Sequence, residues 1–430
     1  MGEDNEKILY DLVVIGAGMT GMAASLYAAD KGLSTLQCGS SSGLAFSSGM
    51  LDLMAVFPIA ENRRWENPWE ALKSINKSTS RHPYSKLSED SIKQALDGML
   101  EFFKDYGFEY RFSENENVLL PTAQGTLKPT YLVPQSMWNG TAAFAEKKPC
   151  LIVDFKGLRE FSAFQVKENL GKVWPGLKCV RVNFPGMGEQ GEVHPEHMAR
   201  ALENKNNVNE LAKVIKDQLS DERYIGLPAI LGIHQTKDIL ETLEKELSVS
   251  IFEIPTPTVS VSGLRIKEMF SKGLPDRGVI QLDNSRVSKA QRLENGNFGF
   301  QIQHNNMQRL IEAKSAILAS GRFFGGGLKA SRHQIKETVF DIPVNQPEDR
   351  RQWHNIEFFD KKGHPVNQAG IDVDQLFRPL DTNRKPVFKN LFAAGSILAY
   401  QDWIREKSGS GIAVSSAFAA VASVFSYLQK

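Results

Sequence analysis

An α/β fold built on a parallel sheet is predicted by three observations along the 430 residues. Residues 8–15, ILYDLVVI, are a short run of mostly branched apolar side chains, as in a strand buried on both faces. Gly16-Ala17-Gly18-Met19-Thr20-Gly21 follows at once, and residues 22–31 carry the small and apolar faces of a helix that Gly32 would cap. Residues 278–320 then change texture to short strands separated by Asn/Gly turns, the pattern of a β-meander inserted in such a sheet.

The remaining elements follow in chain order. Residues 33–38 read as the second strand, and 39–43 as a small polar loop. Residues 62–81 are polar and Trp-containing, with no clear strand, whereas 88–106 has helical spacing. A strand at 151–155 precedes a helix at 158–170, and another strand occupies 180–184. Residues 197–219 have helical periodicity interrupted at Asn206 and Asn207, and a Gly/Pro-broken strand at 225–233 leads to a helix at 236–247. Strands at 278–282, 287–293, 298–304 and 316–319 make up the meander. The cofactor domain is thus expected in three segments, 1–60, 265–330 and 375–430. An α/β cap domain is expected over 61–264, with a cap or connecting segment at 331–374.

Composition narrows the function classes. With 51 basic and 50 acidic residues the formal charge is +1, which argues against a nucleic-acid binder held by bulk electrostatics. Cys38, Cys150 and Cys179 are too few and too scattered for a disulfide framework, a structural zinc or an iron–sulfur centre. The acidic start, MGEDNEK, lacks an apolar run, so no secretory leader is expected and the compartment reads as cytoplasmic. Residues 409–429 carry no charge, yet their many Ser and Ala residues favour a closely packed buried helix over a membrane span.

Gly16, Gly18 and Gly21 match GxGxxG between a strand and a helix, the context the motif requires. The first glycine permits the tight turn, the second lets a diphosphate approach the backbone, and the third allows close helix–strand contact. Free N–H groups and the helix dipole then face the phosphates. The ribose-binding acid expected about 20 residues later is missing, since residues 32–51 hold no Asp or Glu. Either Ser40 to Ser42 and the backbone hold the ribose of FAD, or the cofactor is FMN. Gly321 at the end of a strand, Gly395 and Ser396 at the end of another, and Gly409, Ser410, Gly411 and Ile412 opening the uncharged helix extend the site. That helix start would stabilise negative charge on a reduced flavin. Ser47, Ser48 and Gly49 add hydroxyls and a flexible backbone.

These motifs together resemble those of the B subunits of anaerobic glycerol-3-phosphate dehydrogenase. The shared segments are GxGxxG, FSSGMLDL at 46–53, HPYS at 82–85, LASGRFFGGGL at 318–328, and NLFAAGS at 390–396 followed by Gly409 and Gly411. The resemblance spans almost the whole chain and implies a flavoprotein fold of the fumarate reductase/succinate dehydrogenase type. It also implies a small-molecule substrate, sn-glycerol 3-phosphate, with flavin-bearing and iron–sulfur partner subunits that pass electrons to quinone. Membrane contact would then come only through a partner. The sequence departs from the family at 399–407, AYQDWIREK, which is charged where the family tends to be small and Gly-rich. For the chemistry, Arg322 after the Gly321 turn is the best-placed cation, and His82 is the candidate acid or base. Two other readings stay open: a stand-alone flavin dehydrogenase of another hydroxy or amino acid, and a scaffold subunit with a decayed flavin site.

Overall fold

The computed structural model describes residues 9–187 and 191–430. Ile8, at the edge of the expected first strand, and the acidic segment before it lie outside the described residues. The chain divides into two compact units, one made of Met1–Gly43, Asp52–Met99 and Phe270–Lys430, the other of Leu44–Leu51 and Leu100–Met269. These limits differ from the motif-based ones: residues 61–99 and 331–374 fall in the first unit, and 44–51 in the second.

In the first unit, Leu9–Ile15 lies between two parallel neighbours, Thr35–Gly39 and the long strand Met307–Leu318. Ile280–Asp283 extends the parallel sheet beyond Thr35–Gly39, and Leu391–Ala393 pairs in parallel with the end of Met307–Leu318. The meander strands Arg286–Arg292 and Phe298–His304 join antiparallel to the first half of Met307–Leu318. That strand has two characters because it serves two environments. Its meander half is exposed, whereas Ser315 to Leu318 are buried inside the parallel sheet. Phe298 and Phe300 are buried against Phe340, edge to face, and full burial of such a ring stabilises by roughly 2 kcal/mol.

Small residues decide the helix packing. Met19–Asp30 buries Ala23, Ala24 and Ala28 and packs against Gly409–Leu428, with Tyr27 edge-on to Phe418 at 5.2 Å. Gly409–Leu428 is long and apolar enough to cross a membrane, with a mean hydropathy of 1.7. In this fold it buries Gly411 to Ala417 within the first unit.

The second unit centres on a four-stranded parallel sheet in the order Ser250–Ile254, Tyr224–Pro228, Cys150–Phe155, Leu177–Val182. Its core holds Trp174, Phe155 and Phe252. Local capping explains where sequence periodicity and structure part. The polar 62–81 stretch contains a helix, Pro68–Ser78, because Asn67 accepts the Trp69 and Glu70 N–H groups and Pro68 suits the first position. Ser162, accepting from Gln165, delays the expected 158–170 helix to Ala163–Leu170. The 197–219 helix breaks at Asn204, which caps Lys205–Lys216, rather than at Asn206 and Asn207. The helices Gln135–Glu146 and Val261–Asp276 and the strand Ser250–Ile254 had no sequence expectation.

Candidate functional site

The first strand delivers the chain to Gly16 at φ +129°, where a Cβ would lie 2.1 Å from the Ala319 carbonyl oxygen. A Cβ on Gly21 would lie 1.9 Å from the Gly16 carbonyl oxygen. Gly18 is different: nothing lies within 4 Å of its Cβ position, and its φ of −81° suits any residue. Packing therefore requires two of the three glycines, while the third borders open space.

Gly18 also caps the helix Met19–Asp30, which has no side-chain cap and no acid in its first turn. The first intrahelical bond is Met22 N–H to the Gly18 carbonyl at 3.0 Å. The N–H groups of Met19, Thr20 and Gly21 make no hydrogen bond among the described residues, so they and the helix dipole form a cradle for an anion. Ala17 is buried in the turn. Beside Gly16, the Ser320 hydroxyl is buried without a partner among the described residues. A buried orphan donor next to an unfilled backbone cradle is what a diphosphate-bearing group would satisfy.

Other expected residues converge within this unit. Gly395 presses its bare α-carbon onto Thr20, where a Cβ would come 2.0 Å from Oγ1, and its N–H donates to Ser416 Oγ at 2.8 Å. Gly321 lies beside Ser396, whose Oγ is 3.5 Å from the Gly321 Cβ position. Gly409 opens the C-terminal helix, but the Gly411 N–H is taken by the Asp52 carbonyl at 2.8 Å and the Ile412 N–H by Ser408. Ser410 sits in the same first turn. Ser47, Ser48 and Gly49 belong to the second unit.

At the end of the second strand, Cys38 occupies the place of the missing acid, its thiol buried and pushed up to about 12 by that burial. An acid stands instead at the end of the neighbouring strand. Asp283, paired in register with Gly39, accepts from Ser41 N–H and Oγ, both at 3.0 Å. Ser40 is exposed and donates to Ser42 Oγ at 2.9 Å. Asp283 and Ser320 were not expected from the sequence, although an acid directly after the expected 278–282 strand was a visible signal for the first.

Arg322 is held by backbone. Its Nη1 donates to the Asn367 carbonyl and its Nη2 to those of Leu398 and Gln401, at 3.0 and 2.9 Å. Its Nε is buried without a partner among the described residues. Burial lowers its pKa to about 10, against the opposing pull of Asp402 and Glu406.

His82 is 2% exposed. Its Nδ1 accepts the Tyr84 N–H at 3.2 Å, so the network assigns the proton to Nε2, 3.3 Å from Glu406 Oε2. Glu406 also accepts from Ser408 Oγ at 2.8 Å and from the Asp402 N–H at 3.0 Å. Burial pushes its carboxyl up, but His82 and these donors outweigh that and leave it below the ordinary range. The charged 399–407 stretch is thus an internal brace at the start of the C-terminal helix. His82→Leu leaves a buried carboxylate short of a donor and is expected to destabilise by about 2 kcal/mol, measurable by urea unfolding at neutral pH. An unchanged midpoint would show that the brace carries no load.

Comparison with known proteins places these features. The FAD binding domain family matches residues 11–412. The chain is 32% identical to the B subunit of anaerobic glycerol-3-phosphate dehydrogenase from Vibrio vulnificus (strain CMCP6), over 96% of this chain and 95% of that protein. It is 27% identical to the probable B subunit of the same enzyme from Halobacterium salinarum (strain ATCC 29341 / DSM 671 / R1), over 95% and 96%. Among solved structures, 3-ketosteroid delta1-dehydrogenase from Sterolibacterium denitrificans is similar at 12% identity and a TM-score of 0.44, covering 97% of this chain and 100% of that one.

Proposed function

Since the chain belongs to the FAD binding domain family and to the B subunits of anaerobic glycerol-3-phosphate dehydrogenase, we propose that it serves the oxidation of sn-glycerol 3-phosphate to dihydroxyacetone phosphate. In this reading, electrons pass to quinone through flavin-bearing and iron–sulfur partner subunits, and any membrane contact is made by a partner. It is a flavin-dependent oxidoreductase whose cofactor is FAD.

The observation that carries the reading is the cradle at Gly18, with three N–H donors and open space facing it. FAD supplies the hydride-accepting ring when bound. This chain's residues do the holding. The N–H groups of Met19 to Gly21 and the Ser320 hydroxyl suit the diphosphate, and Asp283 with residues 40–42 suits the ribose that Cys38 cannot serve. Arg322 acts as a positioning residue that ties residues 367, 398 and 401 together. His82, with both ring nitrogens engaged, likewise positions the start of the C-terminal helix through Glu406.

The test is anaerobic titration of the purified yellow chain with glycerol 3-phosphate, alone and with its co-purified partners, following bleaching of the flavin band. Bleaching of the chain alone identifies it as the oxidising component, and bleaching only in the complex identifies a relay. No bleaching in either overturns the proposed substrate, and a colourless protein that takes up no FAD returns the scaffold reading.

A further inference from the structure

We infer that the start of the helix Val261–Asp276 is a phosphate-monoester subsite. It lies wholly within the second unit, whereas the Gly18 cradle belongs to the first.

Three hydroxyls make the case. Thr256, Ser260 and Ser262 are 6%, 2% and 0% exposed, and each of their hydroxyl oxygens is buried without a hydrogen-bond partner among the described residues. Buried hydroxyls are normally satisfied. Three orphans within seven residues, two of them at the start of one helix, mark a place arranged for an acceptor that the described residues do not provide.

The helix end points the same way. Ser260 immediately precedes the first helical residue; its N–H donates to the Ala45 carbonyl at 2.9 Å and its carbonyl accepts the Leu264 N–H at 3.0 Å. A serine there ordinarily turns its oxygen onto an N–H of the first turn, but this one does not. The Val261, Ser262 and Gly263 N–H groups have no acceptor among the described residues, and the first turn carries no acid. Helical Cβ atoms tilt toward the N-terminus, so the Ser262 hydroxyl leans to the same end as these N–H groups.

The serine-rich segment at 47–49 is laid against this turn. A Cβ on Gly49 would lie 3.0 Å from Ser262 Cβ and 3.6 Å from its Oγ. Ser47 Oγ accepts the Gly49 N–H at 3.2 Å and Ser48 Oγ the Met50 N–H at 3.4 Å, which leaves each O–H proton to donate. Three N–H groups and several hydroxyls exceed what a carboxylate's two oxygens accept, whereas a phosphate dianion has three strongly accepting oxygens. Arg265, one turn further in, adds no free charge because Glu253 holds it at 2.6 and 2.9 Å. The subsite therefore binds through hydrogen bonds and the helix dipole.

That the phosphate is the substrate's rests on the function proposed above; the subsite itself does not. The experiment uses the full-length, flavin-bound chain, with calorimetric titration and melting curves in inorganic phosphate, glycerol 3-phosphate and glycerol. Wild type is expected to bind both phosphates and to be stabilised by them, with no response to glycerol. Ser260→Ala/Ser262→Ala should keep its flavin, melt no lower than wild type because two orphan hydroxyls are gone, and bind both phosphates at least tenfold more weakly. Ser260→Thr, which keeps the hydroxyl, should bind as wild type. Ser260→Ala alone carries the test should the double variant fail to fold. Undiminished phosphate binding in the alanine variants, or no phosphate binding by wild type, overturns the subsite. Flavin loss from the alanine variants overturns it too, since the hydroxyls would then serve the cofactor's diphosphate. If inorganic phosphate binds in a serine-dependent manner while glycerol 3-phosphate does not, the subsite stands and the proposed substrate falls.

Discussion

Gly18→Asp is expected to yield a folded protein that has lost its flavin. The position tolerates a side chain, since its φ is −81° and nothing lies within 4 Å of the Cβ direction. It is also the helix cap, where aspartate is among the preferred residues because its carboxylate accepts the first-turn N–H groups. Those are the donors a diphosphate needs. The substitution therefore supplies an internal anion that competes with the cofactor and repels it. Losing the N–H contacts and reversing the local field together weaken FAD binding by about 3 kcal/mol, roughly 150-fold. Flavin content after gel filtration and the melting temperature check the two halves separately: flavin should be lost while melting is unchanged or slightly higher. Flavin retained at wild-type stoichiometry would mean that the diphosphate does not sit at this turn. Gly21→Ala offers the contrast, because a methyl there meets the Gly16 carbonyl and damages the fold itself.

The same contrast explains what was legible in the sequence. Gly21 answers to a steric demand within one strand–turn–helix, Gly16 to its positive φ and the sequence-distant Ala319 carbonyl, and Gly18 to the space a ligand needs; all three fall within six residues, so short-range spacing displays them. The Gly395 contact with Thr20 joins residues 375 positions apart in sequence, and only the NLFAAGS motif hinted at it. Asp283 was hidden because an acid was sought at the end of the second strand, while this one stands at the end of the adjacent strand. The charges at 399–407 read from sequence only as a departure from the family's small, Gly-rich pattern. In the fold Glu406 turns inward, where a histidine, a hydroxyl and a backbone N–H offset its burial. The helix Val261–Asp276 was missed because Gly263, Gly273 and Pro275 dilute its helical signal.

The largest stability effect is expected in the second unit, at Arg265→Met. Arg265 and Glu253 are each 1% exposed and joined by two hydrogen bonds of 2.6 and 2.9 Å. Ser136 Oγ and the Leu231 N–H, both at 2.7 Å, complete the carboxylate's partners, and the Gly232 carbonyl takes Arg265 Nε at 2.9 Å. Replacing the arginine strands a buried negative charge, which destabilises by about 3–5 kcal/mol at neutral pH. The pH dependence gives the direction of the test. In the native protein, burial raises the Glu253 carboxyl, but Arg265 and the neutral donors more than reverse this and hold it below its ordinary value. The unfolded chain therefore binds the proton more readily, and this contribution, complete above the unfolded pKa of about 4.3, is lost as pH falls through the lower folded value. In Arg265→Met burial acts with less opposition, the folded carboxyl rises above the unfolded one, and acid restores stability. The deficit of the variant, read by urea unfolding, should thus be widest near pH 7 and should narrow toward pH 5. Adding Glu253→Leu should recover part of it at pH 7, though not all, because the Leu231 N–H and the Ser136 hydroxyl then lose their acceptor. A deficit independent of pH would show that Arg265 contributes through packing rather than through its charge.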